Sequence, residues 1–135
     1  MKMKKVLAAL GFSLALSASA LAADNVWQYN QYTTIDMDSA KVYYDMGRQM
    51  LSFDTVEKSG ESTDYCTYVY NIDDQTIQLK KMITKTKKSK YKSSFYPESI
   101  KDGNAVIKAR ARMATDVLDK VNAENAAKNA KKDKK

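Results

Sequence analysis

The chain of 135 residues has no histidine, one cysteine, one proline and four glycines. Without histidine the usual proton shuttle and the commonest metal ligand are missing. That absence excludes a Cys-His nucleophile pair, a Ser-His-Asp triad and the zinc signatures. A G-x-S-x-G elbow, a phosphate loop and a dinucleotide fingerprint are absent too. The single Cys66 cannot close an internal disulfide, so the core must hold by packing alone. No internal repeat and no heptad run long enough for a coiled coil occurs.

Little is left that could do chemistry. Asp36-x-Asp38 hints at calcium, but such a site takes six or more oxygens and a fuller loop. The spacing reads as a solvated turn, and neither metal nor cofactor is expected. Carboxylate pairs could meet in space, yet no spacing argues for one, and the chain is expected not to be an enzyme.

The first two dozen residues form a separate unit. Lys2, Lys4 and Lys5 make a positive start, Val6 to Leu16 an apolar stretch, and Ser17 to Ala23 a small or apolar close. About 12 apolar residues cannot span a hydrocarbon core that needs about 20. Ala20-Leu21-Ala22 fits the small-x-small cleavage rule, with Ala18-Ser19-Ala20 as a second candidate. Residues 1–22 are therefore expected to be a cleaved secretory signal peptide, with no lipid attachment and no transmembrane anchor after cleavage. The protein is expected in the periplasm, at the cell surface or secreted. About 113 of the 135 residues then remain, enough for one core.

The net charge of +7 is unevenly placed. The signal carries +3 and Lys128 to Lys135 carries +4, so residues 24–127 sum to zero. Within them Asp24 to Asp74 carries three basic and ten acidic residues, while Gln75 to Ala127 carries twelve basic and five acidic. The domain is a charge dipole along its sequence, and strand order decides whether it is one in space.

Asp64 to Thr84 reads as a central β-hairpin. Cys66, Tyr68, Tyr70 and Ile72 share one face and Tyr65, Thr67 and Val69 the other. An Asp73-Asp74 corner follows; lacking Gly, it calls for a loop longer by a residue or two. Ile77, Leu79, Lys81 and Ile83 then alternate with Thr76, Gln78, Lys80 and Met82. Val26 to Tyr29 is a short strand that Tyr32 to Ile35 extends, and Asp36 to Ser39 reads as a turn. Lys41 to Tyr44 and Met50 to Val56 are two more strands, joined through Asp45-Met46-Gly47. Lys85 to Ser94 reads as a basic loop or a frayed strand end, and Ser94 to Pro97 as extended. Asn104 is a fair helix N-cap. From Ala105 to Val121, Val106, Arg110, Met113, Val117 and Val121 form a stripe that Ile107, Ala114 and Leu118 widen.

The expected fold is α+β: a small antiparallel sheet of four to six strands packed by one C-terminal amphipathic helix. It occupies residues 23–121 as a single domain, with residues 122–135 a basic tail, frayed helical or disordered.

The order of Trp27, Asp36, Asp38-Ser39, Gly47 before Leu51 and Phe53, Tyr65-Cys66 and Pro97-Glu98-Ser99 resembles the surface-adhesin protein E-like domain family, over Asn25 to about Ile100. Members often carry a second, C-terminal Cys, which this chain lacks. The resemblance implies a small antiparallel sheet with helical packing, and adhesin-like binding at a bacterial surface by analogy.

One patch supports a functional hypothesis. Lys85, Lys87, Lys88, Lys90 and Lys92 gather beside Tyr91, and ammonium groups so clustered suit a polyanion. The same lysines also guard a sheet edge against aggregation. These six residues are the candidate polyanion contact of an exported, non-catalytic binding protein. The expected partner is an anionic glycan, an envelope polyanion or a protein, and a specific nucleic-acid partner is not expected. The alternative is a structural or accessory envelope protein that meets a protein partner through its sheet edge or Cys66.

Overall fold

The computed structural model describes residues 25–133. The expected signal peptide, residues 1–22, lies outside the described residues. The chain runs β1 (Val26–Gln28), β2 (Thr33–Asp45), β3 (Arg48–Ser59), β4 (Ser62–Asn71), β5 (Thr76–Lys85), β6 (Lys90–Ser93), β7 (Glu98–Ser99) and α1 (Ala105–Asp133). All pairings are antiparallel, in the order β1-β2-β3-β4-β5-β6, with β7 beside β5. The sheet has seven strands, more than the four to six expected. Short connections between successive strands make a meander the default.

One face of the sheet is dried by α1. Leu51, Phe53, Cys66, Tyr68, Tyr70, Ile77 and Leu79 are buried there with Ile107, Ala111, Met113, Ala114 and Val117 of the helix. Phe53 and Tyr68, paired across β3 and β4, stack with centroids 5.5 Å apart. Cys66, Tyr68 and Tyr70, which alternation sets on one face of β4, are all buried against the helix. On the helix, Val106 is exposed and Ala111 buried, so the stripe centres on Ile107. Asn104 Oδ1 accepts the Ile107 N–H at 2.9 Å, the expected N-cap bond. The helix then continues past Val121 to Asp133, through the segment expected as a basic tail, frayed helical or disordered. Ala, Lys and Asn sustain helix there without an apolar face to bury.

Two strands depart from the expected pattern, and in each case a bulge is the reason. Asp36 to Ser39 does not turn the chain. It lies within β2, whose register to β3 shifts between Asp36 and Lys41. Asp36 Oδ1 accepts the Asp38 N–H at 3.1 Å, and Ser39 Oγ donates to the Asp36 carbonyl at 2.7 Å. The Asp54 N–H of β3 donates to Ser39 Oγ at 2.8 Å, so side chains replace the lost ladder bonds. Met37 continues the inward alternation of Thr33 and Ile35 and joins the core before the detour takes effect.

In β5, Thr67 faces Lys81 but Tyr68 faces Leu79, which leaves Lys80 without a partner. Strict alternation would have set Lys81 in the apolar row of Ile77 and Leu79. An unpaired buried charge costs several kcal/mol, and the extra residue turns Lys81 outward. Beyond the bulge Met82 and Thr84 oppose Cys66 and Asp64, while Ile83 moves to the outer face opposite Tyr65.

The β4–β5 turn spans four residues, 72–75, with Gln75 at φ +55°. Its acids are tied to β3: Arg48 Nε meets Asp74 Oδ2 at 2.6 Å, and the Gln49 N–H donates to Asp73 Oδ2 at 2.7 Å. Among the described residues no helix is long and apolar enough to cross a membrane.

The approach of the helix depends on Gly103. A Cβ there would lie 2.5 Å from Ile107 Cγ2 and 2.9 Å from the Ser99 carbonyl oxygen. Gly103→Ala is therefore expected to destabilise the fold by about 1–3 kcal/mol, and Asn104→Ala by about 1 kcal/mol through the lost cap. Urea unfolding followed by far-ultraviolet circular dichroism measures both.

Candidate functional site

The face of the sheet away from α1 carries the charge. Lys85 and Lys90 are direct partners across β5 and β6, and Lys92 is opposite Ile83. Lys81 is opposite Thr67 and Ile83 opposite Tyr65, so this face reads Tyr65, Thr67, Lys81, Ile83, Lys85, Lys90 and Lys92 across three strands. Lys85 Nζ sits 5.2 Å from the centre of the Tyr65 ring, a cation–π contact that fixes one ammonium group over the aromatic body.

Beside it lies a shallow hollow of about 380 Å³, walled by Thr67, Lys80, Lys81, Lys92 and Ser94. Its walls combine three ammonium groups with two hydroxyls and include no carboxylate. Thr67 Oγ1 donates to Asp54 Oδ1 at 2.8 Å, which marks the far, acidic side of the same face. Asp36, paired with Asp54, extends that side; burial foremost, then the neighbouring Asp38 and Asp54 charges, holds its carboxyl above the usual carboxylate range.

The structure divides the six candidate residues. Lys85, Lys90 and Lys92 share the outer face. Tyr91 is opposite Thr84 and therefore points to the other face. Lys87 and Lys88 lie in the β5–β6 turn, which a Thr86 N–H to Ser89 carbonyl bond of 2.9 Å closes. Lys87 Nζ is 3.9 Å from Glu61 Oε1, an exposed and weak pairing. Lys80, Lys81 and Tyr65 join the patch instead. The Lys80-Lys81 doublet is the one signal that could have found them, because two adjacent charges interrupt an alternating strand.

A second concavity, of about 710 Å³, lies between α1 and the sheet and is lined by Tyr29, Glu57, Tyr68, Arg110 and Arg112 among others. Glu57 Oε2 accepts both the Tyr68 hydroxyl and the Thr55 hydroxyl at 2.8 Å. Burial foremost, and the Glu57 carboxylate next, push the Tyr68 phenol far above its ordinary value. On the opposite wall the Tyr29 hydroxyl donates to Asp116 Oδ2, and burial with that acceptor pushes its phenol up to about 12. These groups are locked as hydrogen-bond partners, and none is an activated nucleophile. Among the described residues no group of three or more acids and cysteines could hold a metal ion.

Cys66 is buried on the helix side. Burial, followed by the Glu57 charge, pushes its thiol up to about 12, so it stays a neutral, unreactive thiol in the folded chain.

Comparison of the chain with protein-family models, with curated proteins and with solved structures returns no match.

The raised thiol and phenols set the alkaline limit of stability. Below about pH 9 these groups hold their protons in both states, and their contribution is complete. Above it the unfolded chain ionises, from 9.0 for Cys66 and 10.0 for Tyr29, while the folded chain resists to about 12. Stability is expected to fall from pH 9 to pH 12, with a shallower onset in Cys66→Ala. Urea midpoints across that range measure it, and a thiol reagent at pH 8 should label Cys66 only at the rate of unfolding.

Proposed function

We propose that this chain is an exported, non-catalytic binding protein, adhesin-like in role. In this reading the outer face of β4, β5 and β6 contacts an anionic glycan or another envelope polyanion. The observation that carries the reading is the hollow in which Lys80, Lys81 and Lys92 meet Thr67 and Ser94 with no carboxylate in its walls. Five lysines on two adjacent strands (Lys80, Lys81, Lys85, Lys90 and Lys92), with no acid on either strand, supply a one-signed field. Ammonium groups serve as mobile point charges that adapt to sulfate, carboxylate or phosphate. The meander supports the same view, because it keeps strand order and so leaves the basic strands β5 and β6 together at one end of the sheet.

An accessory role through a protein partner is favoured by a different feature, the outer edge of β2 beyond its short pairing with β1. Cys66 does not serve that role, being buried.

Retention on immobilised heparin across a salt series tests the anionic reading. The triple change Lys81→Gln, Lys85→Gln and Lys92→Gln is expected to lower the eluting salt steeply, since exposed charge contacts are screened over about 8–10 Å at moderate salt. The turn pair Lys87→Gln and Lys88→Gln is expected to shift it less. Loss of retention only on removing Lys128 to Lys135 would assign the contact to the end of α1 and overturn the sheet-face reading.

A further inference from the structure

We propose that the outer edge of β2 pairs with the same edge of a second copy of this chain, joining two sheets into one about a twofold axis at Tyr43. The proposal gives the protein-partner reading of that edge its occupant, and it is independent of the anionic face.

β1 covers β2 opposite residues 34–36, and the Asn25 carbonyl before it accepts the Met37 N–H at 2.9 Å. Lys41 to Asp45 pairs with β3 on its inner side and with no described residue on its outer side. The hairpin turn of Met46 and Gly47 has φ +52° and +79°, the two-residue type whose closing pair exchanges both backbone bonds. That closing pair is Asp45 and Arg48. By alternation Tyr43 and Lys41 also bond inward to β3. Val42 and Tyr44 therefore direct their N–H and C=O groups out of the sheet.

The side chains of this edge are unusually apolar for one left open. Val42 is 36% exposed, Tyr43 37%, Tyr44 70% and Met46 87%. Free edges are normally blunted by charges, proline, bulges or short length, and here the charges stand only at the two ends, Lys41 and Asp45, with Val42, Tyr43 and Tyr44 between them.

The segment Lys41-Val42-Tyr43-Tyr44-Asp45 is complementary to itself when reversed. With the axis at Tyr43, Val42 meets Tyr44 of the second copy as the pair that exchanges both backbone bonds. The two Tyr43 residues meet as the close pair without backbone bonds. Lys41 meets Asp45 of the second copy, and Asp45 meets Lys41, so opposite charges face each other at both ends. An axis at Val42 or Tyr44 would leave those charges without each other. The pairing closes at two copies, because it uses the same patch on both. At the other side of the sheet Lys90 and Lys92 repel a like strand.

Sedimentation of the purified full chain tests this with a charge swap. The wild type should double its mass at about 10–100 µM, the range of an interface at the small end of the stable class. Lys41→Asp alone, or Asp45→Lys alone, sets like charges opposite at both ends and should raise the dissociation constant about tenfold or more. An equimolar mixture of the two variants restores opposite charges and should restore the doubled mass. A wild type of single mass over that range, or a dimer that neither variant weakens, overturns the proposal. Amide exchange then separates it from the wider edge reading. In a chain of single mass, fast exchange at Val42 and Tyr44 leaves the edge open to a different strand. Slow exchange there means that the chain covers its own edge, and both readings fall.

Discussion

The Phe53–Tyr68 stack, set between β3 and β4 and buried in one cluster with Ala114 and Val117, is where sheet and helix are joined. A single helix can dry only one side of a seven-stranded sheet. The side chains that meet α1 must therefore be apolar or internally bonded, and Tyr68 satisfies both demands by giving its hydroxyl to Glu57. That bond lets a large aromatic fill the core without stranding a polar atom. Glu57 also accepts the Thr55 hydroxyl, and its charge helps to keep the Cys66 thiol and the Tyr68 phenol protonated, which makes both poor nucleophiles.

The outer face inherits whatever the core rejects. Lys81 is the clearest example, since a bulge at Lys80 spares the core its charge and adds both lysines to the face that Lys85, Lys90 and Lys92 already occupy. The β2 bulge acts on the edge instead. It occupies the strand just beyond the reach of β1, and the residues after it pair with no described strand on their outer side. Both surfaces that support a binding role thus arise where the period of two is broken. Bulges bend and twist the strand that carries them, and they re-aim the side chains on either side.

Charge follows the same geometry. A meander preserves strand order across the sheet, so the aspartates of β2 and β3 and the lysines of β5 and β6 fall on different sides of the outer face. Asp36 and Asp54 lie on one side, the lysines of β5 and β6 on the other, and the Thr67–Asp54 bond spans the boundary. A crossover topology would have interleaved the two signs. Such a field orients a charged partner before contact.

The sequence by itself determined the elements whose causes are local. The face of Cys66, Tyr68 and Tyr70, the Met46-Gly47 turn, the longer acidic turn and the Asn104 cap all follow from alternation, positive φ and side-chain capping within a few residues. Asp36 to Ser39 and Lys80-Lys81 read as a turn and as plain alternation because their bulges answer to residues far along the chain, Asp54 in one case and Thr67 with Tyr68 in the other. The same limit governed the candidate site. The lysine run was visible, but which lysines share a face depends on register against β4, and Tyr91 points away for that reason. The tertiary structure alone decided the basic hollow and the open edge of β2, because each depends on which strands pair and where that pairing stops.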